Sequence, residues 1–264
     1  MKIDLSDKTA LVSGSTAGIG YAIAKGLAAA GAKVVINGRK PETVEKAVAA
    51  LNAEVGGNRV RGIAADVSTA AGCDELVKAS GPVDILINNA GIYAPKPFFE
   101  IPDSEWARYF EINVMSGIRL SRALMPGMLE RNWGRIVFIS SESALNIPTE
   151  MIHYGFTKTA QLSVARGLAQ LTSGTGVTVN SVLPGPTLSD GVETFLGAMA
   201  RDNKTTPNAM AQNFVKDFRP SSLIQRFATG EEVANMVVYV SSKEASATNG
   251  AALRVEGGVL SSIA

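Results

Sequence analysis

Short apolar runs rich in β-branched residues alternate along the chain with longer segments in which Ala and Leu recur at helical spacing. The first kind covers Thr9–Ser13, Val34–Asn37, Val60–Ala65, Val83–Asn88, Arg135–Ser140, Val177–Val182 and Ala251–Val255. The second covers, among others, Ile19–Ala30, Pro41–Val55, Ser104–Glu130 and His153–Thr172. Strands that are apolar at successive positions are buried on both faces. The alternation predicts an α/β fold: a doubly wound, Rossmann-type parallel sheet of seven strands with helices on both faces, formed by residues 1–264 as one domain.

One stretch departs from this rhythm. Between Leu188 and Phe227, Gly, Pro, Asn and Asp interrupt short helical patterns, and no strand is evident. The stretch is longer than an ordinary connection and follows a strand at the edge where such sheets bind ligands. We expect an insertion covering the substrate, partly helical and mobile.

Composition narrows the chemistry. A hydrophobic content of 46% with 19% charged residues favours a packed core over disorder. The formal net charge is +1 and the basic residues are scattered, which argues against nucleic-acid binding. The single cysteine, Cys73, forms no intramolecular disulfide and reads as a buried or inert thiol. The single histidine, His153, excludes most Ser-His-Asp hydrolases, and no metal site is expected. We read it as lining a pocket or lying at the surface. Met1–Lys8 has no signal-peptide core and the apolar runs are too short to span a bilayer, so a cytoplasmic protein free of the membrane is expected.

Two regions offer candidate chemistry. The first strand runs into Ser13-Gly14-Ser15-Thr16-Ala17-Gly18-Ile19-Gly20, where a helix begins. Glycines permit a sharp turn and close approach to a phosphate, while the helix start presents N–H groups and a positive dipole end. Further on, Tyr154 and Lys158 share a helix face at i and i+4, and Ser141 ends the fifth strand. A neighbouring cation favours the phenolate of a tyrosine. Such a pair can exchange a proton with a substrate oxygen to which Ser141 also donates.

Together these segments resemble the short-chain dehydrogenase/reductase superfamily over nearly the whole chain. The T-G-x3-G-x-G loop is present with Ser13 in place of its leading Thr. Asn88-Asn89-Ala90-Gly91 matches N-N-A-G, Asn113 matches the helix asparagine, Ser141, Tyr154 and Lys158 match S…Y-x3-K, and Pro184-Gly185 matches P-G. Leu188–Phe227 matches no pattern. The resemblance implies hydride transfer between a nicotinamide and a ketone/alcohol pair. Tyr154 would exchange the proton and Ser141 polarise the carbonyl. Lys158 would serve the tyrosine and the nicotinamide ribose, and Asn113 would hold a water in a proton path from Lys158 to solvent. It further implies pyrophosphate on Gly14, Ser15, Thr16, Gly18, Ile19 and Gly20, and adenine at Asp66 and Val67. Ribose would lie along Asn89, Ala90 and Gly91, with nicotinamide flanked by Pro184, Gly185 and Thr187. Asp66 could instead cap a helix, and Asn88–Gly91 could simply end a strand.

The second strand ends in Ile36-Asn37-Gly38-Arg39-Lys40. Gly38 stands where NAD-selective relatives place a carboxylate, and the Arg39 guanidinium suits a 2′-phosphate. NADP(H) is the expected cofactor. Ala17 adds no basic residue to the glycine loop, so NAD(H) use stays open. Tyr93, Phe98, Phe99, Leu145, Met151, Phe195 and Leu196 suggest a small apolar or aromatic ketone as substrate. A 3-oxoacyl-[acyl-carrier-protein] reductase is the alternative. Arg122, Arg131 and Arg135 could dock its acidic carrier, but Thr175 stands where those reductases carry arginine. A catalytically silent nucleotide sensor or scaffold is the alternative of another class, and the complete Asn113, Ser141, Tyr154 and Lys158 set argues against it. The resemblance also implies a homotetramer or homodimer assembled through the two long helices and Leu253–Gly258.

Overall fold

The computed structural model of the chain describes residues 2–189, 192, 197, 200–201 and 205–263. Its strands are β1 (Thr9–Val12), β2 (Lys33–Gly38), β3 (Val60–Ala64), β4 (Ile85–Asn88), β5 (Gly134–Ile139), β6 (Val177–Pro184) and β7 (Ala252–Val255). They form one seven-stranded parallel sheet in the order β3-β2-β1-β4-β5-β6-β7. The order reverses between β1 and β4, and the carboxyl ends of these strands open a crevice there.

Successive strand residues point to opposite faces, and in the central strands both faces are buried. Leu11, Val35, Leu86 and Ile136 join one core cluster, while their neighbours Val12, Ile36, Ile87 and Val137 join the other. The second cluster is completed by Ile23 and Leu27 of α1 (Gly18–Ala29), Leu51 of α2 (Pro41–Val55), and Val233 and Val237 of α8 (Gly230–Val240). The first is completed by Leu76 of α3 (Ala70–Ser80), Leu120 of α5 (Ser116–Glu130) and Ala165 of α6 (Ile152–Gln170). This two-sided burial is why the strands read as uninterrupted apolar runs.

Helix ends follow local chemistry. Pro41 opens α2, and Gly56 closes it in the left-handed region at φ 68°. Thr69 caps α3 by accepting from Gly72 N, and Thr229 forms a capping box with Glu232 at the start of α8. The start of α1 is different. Ala17 supplies no side-chain cap, and the first turn carries no acid, so that end keeps its positive character.

The expected helix Ser104–Glu130 is present, running from Asp103 to Glu130 as α4 (Asp103–Phe110), a π-helical turn (Glu111–Met115) and α5. Asn113 lies in the wider turn. Within 188–227, the described residues include α7 (Pro207–Phe218), capped by Thr206. The base of the segment is closed where Leu188 N donates to Ala228 O and Ala228 N donates to Pro186 O, both at 2.8 Å. Phe195 and Leu196, expected to face a substrate, lie outside the described residues. Among the described residues, no helix is long and apolar enough to cross a membrane.

Candidate active site

The glycine loop between β1 and α1 is tied to three neighbouring strand ends. Ser15 Oγ donates to Val12 O at 2.6 Å and accepts from Asn37 N at 3.0 Å. Asn37 Oδ1 in turn accepts from Gly14 N, while its Nδ2 donates to Ile63 O and Ala65 O. Asn89 Nδ2 donates to Ser13 O and Gly14 O. Gly14 and Gly18 sit at φ 59° and 58°, where a side chain is strained. A Cβ at Gly20 would lie 2.4 Å from Asn89 Nδ2 and 2.6 Å from Gly14 O. Gly20→Ala is therefore expected to lower stability by about 1–3 kcal/mol and to weaken cofactor binding. Thermal melts and NADPH fluorescence titrations check this, and wild-type values in both would contradict it.

These features fit a dinucleotide: a turn with no room for side chains beside the positive end of α1. Gly91 adjoins the same crevice, with Asn113 Oδ1 and Lys158 Nζ 3.4 and 3.6 Å from where its Cβ would stand. At the end of β6, Gly185 packs so closely on Glu256 that a Cβ would meet its carbonyl at 2.6 Å. Thr187 Oγ1 donates to Gly185 O, shaping the turn after Pro184. Asp66 is exposed after β3, its Oδ1 accepting from Ser68 N; Thr69, rather than Asp66, caps the following helix. Val67 is buried in the core, so its side chain is largely committed there. Arg39 is exposed after β2 and makes no ion pair or hydrogen bond with the described residues. Gly38 has a steric reason of its own: a Cβ there would meet Thr16 Cγ2 at 2.6 Å.

At the end of β5, strand alternation separates two serines that the sequence leaves adjacent. Ser140 Oγ donates to Lys158 O at 2.9 Å and so anchors α6. Ser141 Oγ accepts from Ser143 N at 3.1 Å and meets the Tyr154 phenol. Lys158 Nζ donates to Ile139 O at 2.8 Å and lies 5.6 Å from the centre of the Tyr154 ring. Asn113, Ser141, Tyr154 and Lys158 thus converge at one end of the sheet.

In the free protein, burial dominates the electrostatics of the Tyr154–Lys158 pair. Desolvation pushes the phenol above its ordinary value, and the hydrogen bond to Ser141 offsets this only in part. Burial lowers the Lys158 amine to about 7. A neutral phenol beside a chargeable amine is suited to giving a proton to a developing alkoxide.

Asn113 is held on both sides by protein groups. Its Oδ1 accepts from Ile92 N at 2.8 Å, and its Nδ2 donates to Ile92 O and Thr157 Oγ1, both at 3.0 Å. Its backbone carbonyl accepts from Gln161 Nε2. The side chain thus fixes the loop after β4 to α6.

His153 is neither at the surface nor in the pocket. It is buried edge-on against Tyr109 at 4.3 Å and Trp106 at 6.1 Å, with Nδ1 unpartnered and its pKa lowered, mainly by burial. Cys73 is buried as expected, and desolvation raises its thiol to about 11. Arg135 is buried and donates to Ser242 O, Gly134 O and Gly176 O, which removes it from any docking surface. Tyr93 packs edge-on against Tyr154 at 6.1 Å, whereas Phe99 is 97% exposed and its ring contact is with Phe98.

Sequence reading missed an ion pair beside Ser141. Glu142 is buried, its Oε1 accepting from Arg219 Nε at 2.7 Å and its Oε2 from Ser143 Oγ at 3.1 Å. Arg219 directly follows α7, so the pair joins the 188–227 segment to the turn carrying Ser141. Its partners are 77 positions apart, beyond any local pattern.

A nucleotide-type crevice with a Ser-Tyr-Lys cluster at its floor defines a dehydrogenase-like site on a doubly wound sheet. The family model for short chain dehydrogenase matches residues 8–198. The chain is 48% identical over the full length of both proteins to an uncharacterized oxidoreductase of Bacillus subtilis, YvaG. It is 33% identical to D-beta-hydroxybutyrate dehydrogenase of Cupriavidus necator, over 96% of this chain and 98% of that one. The structure of L-sorbose reductase from Gluconobacter frateurii, complexed with NADPH and L-sorbose, superposes with a TM-score of 0.94 at 33% identity, covering 100% of both chains. The chain belongs to the short-chain dehydrogenase family and is an oxidoreductase acting on CH–OH groups with a nicotinamide cofactor.

Proposed function

We propose that this protein is an NADP(H)-dependent carbonyl reductase that interconverts a ketone and a secondary alcohol. The observation that carries the reading is the Tyr154 phenol facing Ser141 at the crevice floor, with Lys158 Nζ 5.6 Å from the centre of its ring. Tyr154 gives the proton to the carbonyl oxygen, Ser141 donates to the same oxygen, and Lys158 supports the tyrosine as its charge changes. When bound, the cofactor supplies or accepts the hydride. The glycine loop Gly14–Gly20, Asp66, Val67, Asn89–Gly91, Pro184, Gly185 and Thr187 hold it. Residues 1–264 act as one unit, with 188–227 covering the substrate and two or four chains assembled together.

Our choice is a polar, hydroxylated ketone, in place of the apolar or aromatic one expected from sequence. Glu142 and Arg219 put charge beside the reacting centre, and the sorbose reductase likeness supports the same choice. The test is NADPH oxidation with ketoses, aryl ketones and carrier-linked 3-oxoacyl substrates. Turnover is expected on free hydroxyketones. Preference for the carrier-linked substrate would favour the acyl-carrier reductase, and tight NADPH binding without any turnover would favour a sensor.

Gly38 and Arg39 motivate the NADP(H) assignment. Arg39→Asp should weaken NADPH binding by about 1.5–3 kcal/mol through loss of a charge-assisted contact. Comparing dissociation constants for NADPH and NADH checks it; an unchanged ratio would contradict it.

A further inference from the structure

Gln161 lies one turn beyond Lys158 on the buried face of α6 and is 1% exposed. A buried carboxamide is costly unless both of its ends are bonded. Here Nε2 donates to the Asn113 carbonyl at 2.5 Å, and Oε1 accepts from Lys158 Nζ at 3.3 Å. That carbonyl belongs to the π turn Glu111–Met115. Gln161 therefore bridges the π turn and the amine.

We propose that Gln161 is a positioning residue of the reaction centre: anchored on the Asn113 carbonyl, its carboxamide holds the Lys158 amine in its ammonium form beside Tyr154. This rests on the reading of Tyr154 and Lys158 as the reacting pair. A carbonyl oxygen bonds an ammonium more strongly than a neutral amine, so the contact favours the charged form.

The surroundings leave this task to few groups. From its own helix, the amine faces Tyr154 and Gln161. Strand β5 contributes the Ile139 carbonyl, the π turn contributes Asn113, and the loop after β4 contributes Gly91. Glu142 and Tyr93 bear on the Tyr154 phenol, whereas among the described residues no charged side chain bears on the amine. Two carbonyl-type acceptors thus stand in for a counter-charge. A carboxamide keeps its protons at neutral pH, so this connection is a fixed brace.

The test is a pH titration of [ε-13C]lysine-labelled protein by NMR, with Lys158 assigned by the resonance missing from Lys158→Met. Gln161→Leu removes the acceptor at similar size, and Gln161→Glu places a carboxylate on the amine. The Lys158 midpoint should fall by about one pH unit in the first and rise by about one in the second. The pH limb of ketone reduction should move with it. Unmoved midpoints with a uniformly lower kcat, or shifts of the same sign in both variants, would overturn the proposal. If Gln161→Leu fails to fold, the sign of the Gln161→Glu shift decides. The titration needs no turnover, so absence of activity in the wild type would sink the reaction reading separately.

Discussion

Tyr154→Phe is expected to lower kcat by about 10²–10⁴-fold, the usual contribution of a positioned proton donor. NADPH affinity should hold, because the ring and its edge-on contact with Tyr93 remain. Stability should change by only about 1 kcal/mol, from loss of the hydrogen bond to Ser141. Steady-state kinetics beside a cofactor titration separate these effects. A variant that turned over at the wild-type rate would exclude Tyr154 as the acid.

Lys158→Met should act in opposite directions on activity and stability. Turnover should fall by about 100-fold or more, since the tyrosine loses its cation. Stability of the cofactor-free protein at about pH 7 should rise. Burial lowers the Lys158 amine to about 7 in the folded chain, well below its ordinary value. From about pH 7 upward the unfolded chain therefore binds more protons than the folded one, and stability climbs with pH. Methionine removes that climb. The window to read is about pH 7 to 8.5, because the raised Cys73 thiol acts with the opposite sign above it. Melting temperatures that keep the same slope in the variant would contradict this account of the buried amine.

Much of the fold and the site is legible in the amino-acid sequence. The central strands announced themselves because they are buried on both faces; the loop motifs follow strand ends on one side of the sheet, and α6 and the π turn bring Tyr154, Lys158 and Asn113 to the same end. What escaped was long-range or depended on backbone detail. The π turn at Glu111–Met115 leaves no apolar signature, since the helix continues through it. Gln161 reads locally as a polar residue on a helix, although its spacing from Tyr154 and Lys158 places it on their face. Asn37 reads as the polar end of a strand, yet it organises the glycine loop. Gly38 carries two messages in one residue, a missing carboxylate and close packing on Thr16, and the sequence conveyed only the first. His153 was misplaced because its aromatic neighbours come from α4, more than forty positions earlier.

Transfer of deuterium from C4-deuterated NADPH to a hydroxyketone, followed by mass spectrometry of the product, tests the central claim most directly. The account predicts an alcohol one mass unit heavier with the wild-type protein, with formation falling by the kcat ratio in Tyr154→Phe. An unlabelled alcohol, or labelled product at equal rates from both proteins, would contradict it.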